Sequence, residues 1–184
     1  MGARGKRTSG QVDPGRRDRI IEAALDVIAA QGVAGTSHRK VAAAAQVPLG
    51  SMTYYFTGME QLLHDAFSRF AERGADAFDD RLSQAEDAAQ VLDLVTRAII
   101  GQTGHDDLVL THELSTLAAR DATFRDITER WMARTRASFE RRLDPLTARL
   151  LDALMEGLSI HQALDREPAA VADVREGIRR IVQP

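Results

Sequence analysis

Apolar side chains first fall into helical register near Arg16, where Ile20, Ala24, Val27 and Ile28 mark one face. The stretch "QGVAGTS" predicts a stop there, because Gly32 can take the left-handed conformation that suits a C-terminal cap. Thr36 or Ser37 can cap a second short helix running to about Ala45. "QVPLG" predicts a tight turn, and a third short helix covers about Leu49 to Phe56. In "TGME", Thr57 and Glu60 have capping-box spacing and predict a long helix from about Gly58 towards Ala85. Further helices are predicted at 87–102, 106–120, 122–143, 145–165 and 169–182. The breaks fall at "GQTGHDD", "ARDATF", "LDP" and "REP", which supply glycine, Asp caps and proline at helix starts. No useful length alternates as a strand would, so the expected class is all-α, without an internal repeat.

The pattern divides the chain into a flexible basic arm (1–15), three short helices (16–57) and a larger helical body (58–184). At 184 residues there is chain enough for a sizeable core. The absence of cysteine excludes disulfides and thiolate metal sites. No apolar run approaches a membrane span and no signal peptide opens the chain, so the cytoplasm is the expected compartment and no membrane partner is expected.

Charge is unevenly spread. Residues 1–56 carry eight Lys+Arg against four Asp+Glu, a balance of +4, and the remainder sixteen against twenty-three, a balance of −7. A basic end on an acidic body is the footprint of a nucleic-acid contact confined to that end, although ordinary surface fluctuation gives the same picture. Among the first helices, Val41, Ala42, Val47, Met52 and Phe56 form a candidate shared core. That leaves Leu49, Gly50, Ser51, Thr53, Tyr54 and Tyr55 facing outward, as a helix-turn-helix would place them against a major groove. Gly50 and Ser51 allow close approach, hydroxyls can bond phosphates or base edges, and Leu49 can touch a thymine methyl. In "SHRK" at the second helix, Arg39 can grip guanine bidentately and Lys40 offers a phosphate-type charge. The competing reading is three helices packed for stability, with tyrosines spanning core and water.

"RIIEAALDVIAAQGVAGTSHRKVAAAAQVPLGSMTYYFTGMEQLL" resembles the N-terminal domain of TetR-family transcriptional regulators. The likeness lies in the glycine ending helix one, "VA" in helix two, the Gly-Ser-hydrophobic-x-Tyr-aromatic-Phe of helix three, and an acid followed by "LL" in helix four. The resemblance implies that Arg39 and its neighbour His38 lie where the family reads DNA at the second helix, and Ser37 and Lys40 beside them complete the candidate DNA contacts there. It likewise implies that Leu49, Gly50, Ser51 and Thr53 face bases, and Tyr54 and Tyr55 bases or phosphates. Many members have Ser-Lys-Gly where this chain has Pro48-Leu49-Gly50, Tyr where Thr53 stands, and Lys where Met59 stands. Electrostatic work then shifts to Arg39, Lys40, Arg16, Arg17 and the arm, with Arg4, Lys6 and Arg7.

The body carries no catalytic constellation. The five histidines lack metal-ligand spacing, "HEL" at His112 lacks a second histidine, and "GQTG" lacks the lysine of a phosphate loop, so neither enzyme nor cofactor is expected. Polar and polarizable groups on apolar helix faces suggest a pocket for a partly apolar small molecule. The candidates are Phe67, Phe70, Thr96, Thr103, His112, Thr116, Trp131, Met132, Thr135, Phe139 and Met155, each of which also reads as ordinary core. The last two helices, with Ala153, Gly157, His161, Val171, Val174, Ile178 and Ile181, suit either a four-helix dimer interface or intramolecular core. The resemblance implies the dimer, a ligand-binding body and a pendulum-like fourth helix. The expected partners are double-stranded DNA, a second copy of the chain and an unidentified small-molecule effector. The leading reading is a repressor that binds a palindromic operator and is released by its ligand. The alternatives are a ligand-free repressor or activator of the same fold, and a helical adaptor with a vestigial DNA-binding domain.

Overall fold

The computed structural model of the chain describes residues 15–101 and 104–182. The predicted arm, apart from Gly15, and the candidate Thr103 lie outside the described residues. Those residues form α1 (Arg16–Gly35), α2 (His38–Ala44), α3 (Gly50–Tyr55), α4 (Met59–Ser83), α5 (Ala88–Gly101), α6 (His105–Ala118), α7 (Ala122–Glu140), α8 (Pro145–Leu164) and α9 (Val171–Val182), with no strand among them. The later starts follow from their caps. Asp121 accepts from Thr123 N–H at 2.8 Å, and Asp144 accepts from Leu146 and Thr147 N–H at 3.0 and 3.1 Å, with Pro145 opening α8.

Two local expectations need correction. Gly32 has φ 70° but ψ 169°, so it kinks α1 instead of ending it, and one more turn follows. The Thr36 hydroxyl then donates to the Gly32 carbonyl at 2.8 Å, and Ser37 alone caps α2. The Thr57–Glu60 capping box is not made: Gln61 Oε1 accepts from Thr57 N–H and Oγ1–H, at 2.7 and 3.0 Å. The side chain one residue further on takes the Thr57 N–H that the box assigns to Glu60, and the hydroxyl donates instead of accepting. In the turn before α3, Gln46 takes the left-handed φ of 55°.

Two apolar cores lie one after the other along the molecule. The first joins Ile20, Ile28, Val41, Met52, Phe56, Leu62 and Phe67 to Leu114, Phe124 and Ile127 of α6 and α7. The three-helix unit is therefore packed on the body, and a boundary at residue 57 cuts through a continuous core. The second gathers Leu82, Val91, Val95, Ile99, Phe139, Leu151, Val174 and Ile178. Helix α4 spans both. Its first half pairs with α1, through Arg17–Asp65 at 2.7 Å, Arg69–Asp18 at 2.5 Å and Arg73–Glu22 at 3.0 Å. Its second half pairs with α7, through Arg134–Asp76 at 2.5 Å and Arg141–Asp79 at 2.7 Å. Such exposed pairs add little stability singly, but they fix α4 against both neighbours.

Candidate DNA-contact surface and ligand cavity

Helix α3 is only six residues long, and its period decides which faces are free. Met52 and Phe56 are buried in the first core, and the turn hydrogen bond from Val47 N–H to the Ala42 carbonyl, at 3.0 Å, ties α2 to α3. Positions 49, 50, 53 and 54 then share the opposite face. Tyr54 is 71% and Leu49 54% exposed, and Gly50 and Thr53 are exposed beside them. Tyr55 is half-buried, its ring edge-on to Tyr54 at 4.8 Å. Ser51 was expected to face outward but is buried next to Met52, so the outward face is narrower than six residues.

At α2 the cations differ in commitment. Lys40 Nζ donates to Gln31 Oε1 at 2.5 Å and to the Gly35 carbonyl at 2.6 Å, closing the end of α1. Arg39 is exposed and has no ion pair or hydrogen bond among the described residues. Ser37 is spent on the cap, and His38 is half-buried with Nε2 unpartnered. Arg17 lies over the Phe56 ring at 5.4 Å while paired to Asp65, so it acts as a brace between α1, α3 and α4.

A cavity of about 380 Å³ lies between α4, α6, α7 and α8. Phe70, His112, Trp131, Met132, Thr135 and Met155 of the candidates line it. Trp131 meets Phe70 edge-on at 5.4 Å and lies over Gly74, where a Cβ would stand 3.2 Å from the indole. Four candidates belong elsewhere. Thr96 is buried with its hydroxyl donated to the Leu92 carbonyl at 2.7 Å, Phe67 and Phe139 fill the two cores, and Thr116 lines a neighbouring hollow that shares His112. The sequence reading missed Gly74, Phe78, Asp152 and Glu156, which also line the cavity. The spacing of Asp152, Met155, Glu156 and Ser159 on one face of α8 was the available signal. Burial pushes the Asp152 carboxyl up to about 6, against the pull of Arg136 at 4.0 Å and with a push from Glu156.

The proposed interface helices split. Val174 and Ile178 are buried against α5 and the second core of the same chain, so they are not free for a second copy, and Ile181 is half-buried. Helix α8 does expose a stripe: Leu146, Leu150, Ala153, His161 and Leu164, with Gly157 half-buried among them. None of these positions lines the cavity, and the leucines at 146 and 150 were the part the sequence reading overlooked.

Among the described residues no group of metal-ligating side chains and no helix long and apolar enough to cross a membrane is present. Comparison with known proteins agrees with this layout. Residues 20–66 match the family described as bacterial regulatory proteins, tetR family, and residues 83–184 the tetracyclin repressor-like C-terminal domain. SCO7518 of Streptomyces coelicolor A3(2), classed as a transcriptional regulator, is 48% identical with a TM-score of 0.85, over 93% of this chain and 100% of that one. The multidrug binding protein EbrR, in complex with ethidium, is 34% identical with a TM-score of 0.78, over 92% of this chain and 99% of its own. YttP of Bacillus subtilis (strain 168), classed as an HTH-type transcriptional regulator, is 30% identical over 95 residues, which are 50% of this chain and 46% of that protein.

Proposed function

Because the chain belongs to the TetR family of bacterial transcriptional regulators, we propose that it acts as a homodimeric repressor released from a palindromic operator by a small molecule. The observation that carries this reading is the exposed Leu49–Gly50–Thr53–Tyr54 face of α3, held from behind by fully buried Met52 and Phe56. A helix so held enters a major groove without rearranging, and Arg39 adds an uncommitted guanidinium from α2.

The exposed leucine stripe of α8 supports dimerisation, because two copies can pack it around a two-fold axis. Two recognition helices then meet half-sites one helical turn, roughly 34 Å, apart. The cavity supports the effector, as does EbrR, which binds ethidium and proflavin through a chain of similar fold. Coupling follows from position. Phe70 and Gly74 of the cavity sit on α4 beside the Arg69 and Arg73 pairs to α1. On α6, His112 lines the cavity while the adjacent Glu113 meets Gly32 at the α1 kink. A ligand that prefers one placement of α4 and α6 shifts the half-site distance, and affinity for operator falls by its differential affinity for the two states.

Selection from a random duplex library at near-physiological salt tests the first half of this. An enriched inverted repeat is expected, whereas absence of any enriched sequence would overturn it. Proflavin added to the selected duplex complex tests the second: release supports ligand-relieved repression, and unchanged affinity under saturating bound ligand contradicts it.

A further inference from the structure

We propose that the α8 wall of the cavity, Asp152 with Glu156 one turn on, is a counter-ion site that selects organic cations with an aromatic body and releases a proton when it takes one. This rests on the cavity reading above and adds the charge class of the ligand and its coupling to pH.

Carboxylates outnumber guanidiniums around the cavity. From α4 come Arg73 and Arg81; Arg73 is paired with Glu22 at 3.0 Å, and Arg81 is also engaged. From α6 come Asp107 and His112, and from α8 Asp152 and Glu156. Helix α5 offers only Ala98, and α9 nothing, to the lining. Helix α7 supplies Arg136, which faces Asp152 from 4.0 Å and does not itself line the cavity. Three carboxylates therefore border the space with the two guanidiniums already engaged, and Asp107 and Glu156 have no ion partner among the described residues.

Asp152 is the member placed to respond. Its side chain is only 16% exposed, its one cation stands at the outer limit of an ion pair, and Glu156 repels its charge. Burial accordingly holds its proton up to about pH 6. An organic cation in the cavity reverses that balance. The Asp152 carboxyl loses its proton to bulk water, and the carboxylate keeps the ligand's charge beside Glu156. The edge-to-face pair of Phe70 and Trp131 offers an aromatic wall for the ligand body, where a cation over a ring is also favoured. A neutral ligand of the same shape gains only the wall. An anion meets three carboxylates.

The test uses the full-length chain with three probes of similar shape: proflavin (cationic), acridone (neutral) and 9-anthracenecarboxylate (anionic). Trp131, the single tryptophan, lines the cavity and reports binding by fluorescence. Proflavin affinity is expected to rise about tenfold from pH 5 to pH 7.5, as an acid of pKa about 6 goes from mostly protonated to ionised. Acridone should bind with flat pH dependence, and 9-anthracenecarboxylate most weakly. Heats measured in two buffers of different protonation enthalpy near pH 5.5 should differ by the released proton. Asp152→Asn is expected to abolish the pH step and lose about tenfold in proflavin affinity at pH 7.5. Asp152→Glu should restore both, and the step should survive in His112→Gln, which removes the imidazole of the lining. If proflavin and acridone bind alike, with no pH step and no effect of Asp152→Asn, the counter-ion site falls while the cavity reading stands. If no probe binds, both fall together.

Discussion

Asp152→Asn should stabilise the protein at neutral pH and much less in mild acid. The carboxyl moves from its ordinary 3.8 to about 6 in the fold, which at about 1.4 kcal/mol per unit sets an upper bound of about 3 kcal/mol on the cost of its charge. Solvent reaching the cavity screens part of this, and the replacing amide must find its own hydrogen bonds. A net gain of about 1–2 kcal/mol at pH 7.5 is the expected result. For a chain of this length that is a rise in Tm of roughly 5 °C. The direction with pH follows from where the proton is held. The folded chain keeps it up to about pH 6 and the unfolded chain only to about 3.8. The stability this lends the wild type is present in acid and lost as pH rises through 6. The advantage of the asparagine should therefore shrink by more than half at pH 4.5. Thermal melts of both proteins at the two pH values and one protein concentration decide it. No gain at pH 7.5, or the same gain at both, would refute the burial argument.

Gly32→Ala should cost about 1–2 kcal/mol, since φ 70° is strained for alanine and its Cβ would stand 2.6 Å from Glu113 Oε1; adding Glu113→Ala should restore only the contact part, read from denaturant midpoints. Leu150→Glu puts a charge in the middle of the exposed α8 stripe, so sedimentation should show a dimer for the wild type and a monomer for the variant, with the helical circular dichroism unchanged. Gly74→Val presses on the Trp131 indole, 3.2 Å from the added Cβ; weakened acridone binding is expected, together with a shifted tryptophan emission maximum.

The helix count and order were legible because nearly every boundary carries its own chemistry: Ser37, Asp121 and Asp144 as caps, Pro145 as a first residue. What misled was chemistry with two solutions. Thr57 fits a capping box with Glu60, but Gln61 takes the Thr57 N–H instead. In the turn before α3 the left-handed residue is Gln46, whose side chain gives no hint of it. In a helix as short as α3 a periodic pattern has too few repeats to separate Ser51 from its exposed neighbours. The apolar stripe of α9 was readable as a stripe, but a stripe does not say whether its partner is the same chain or another, and α5 proved to be the partner. Asp152 was invisible for a related reason. An acid at helical spacing usually faces water, and only the packing of α7 on α8 encloses this one.

The central claim is that α3 and Arg39 form the DNA-contact surface, and operator affinity in three variants tests it most directly. On the selected duplex at fixed salt, Tyr54→Ala and Arg39→Ala should each lose about 1–3 kcal/mol, roughly tenfold or more in Kd, and Arg39→Ala should also relax the preference at one position of the half-site. Lys40→Ala should lose less, because its ammonium is already held by Gln31 and the Gly35 carbonyl. Unchanged affinity in both Tyr54→Ala and Arg39→Ala, with each variant folded and dimeric, would contradict the account.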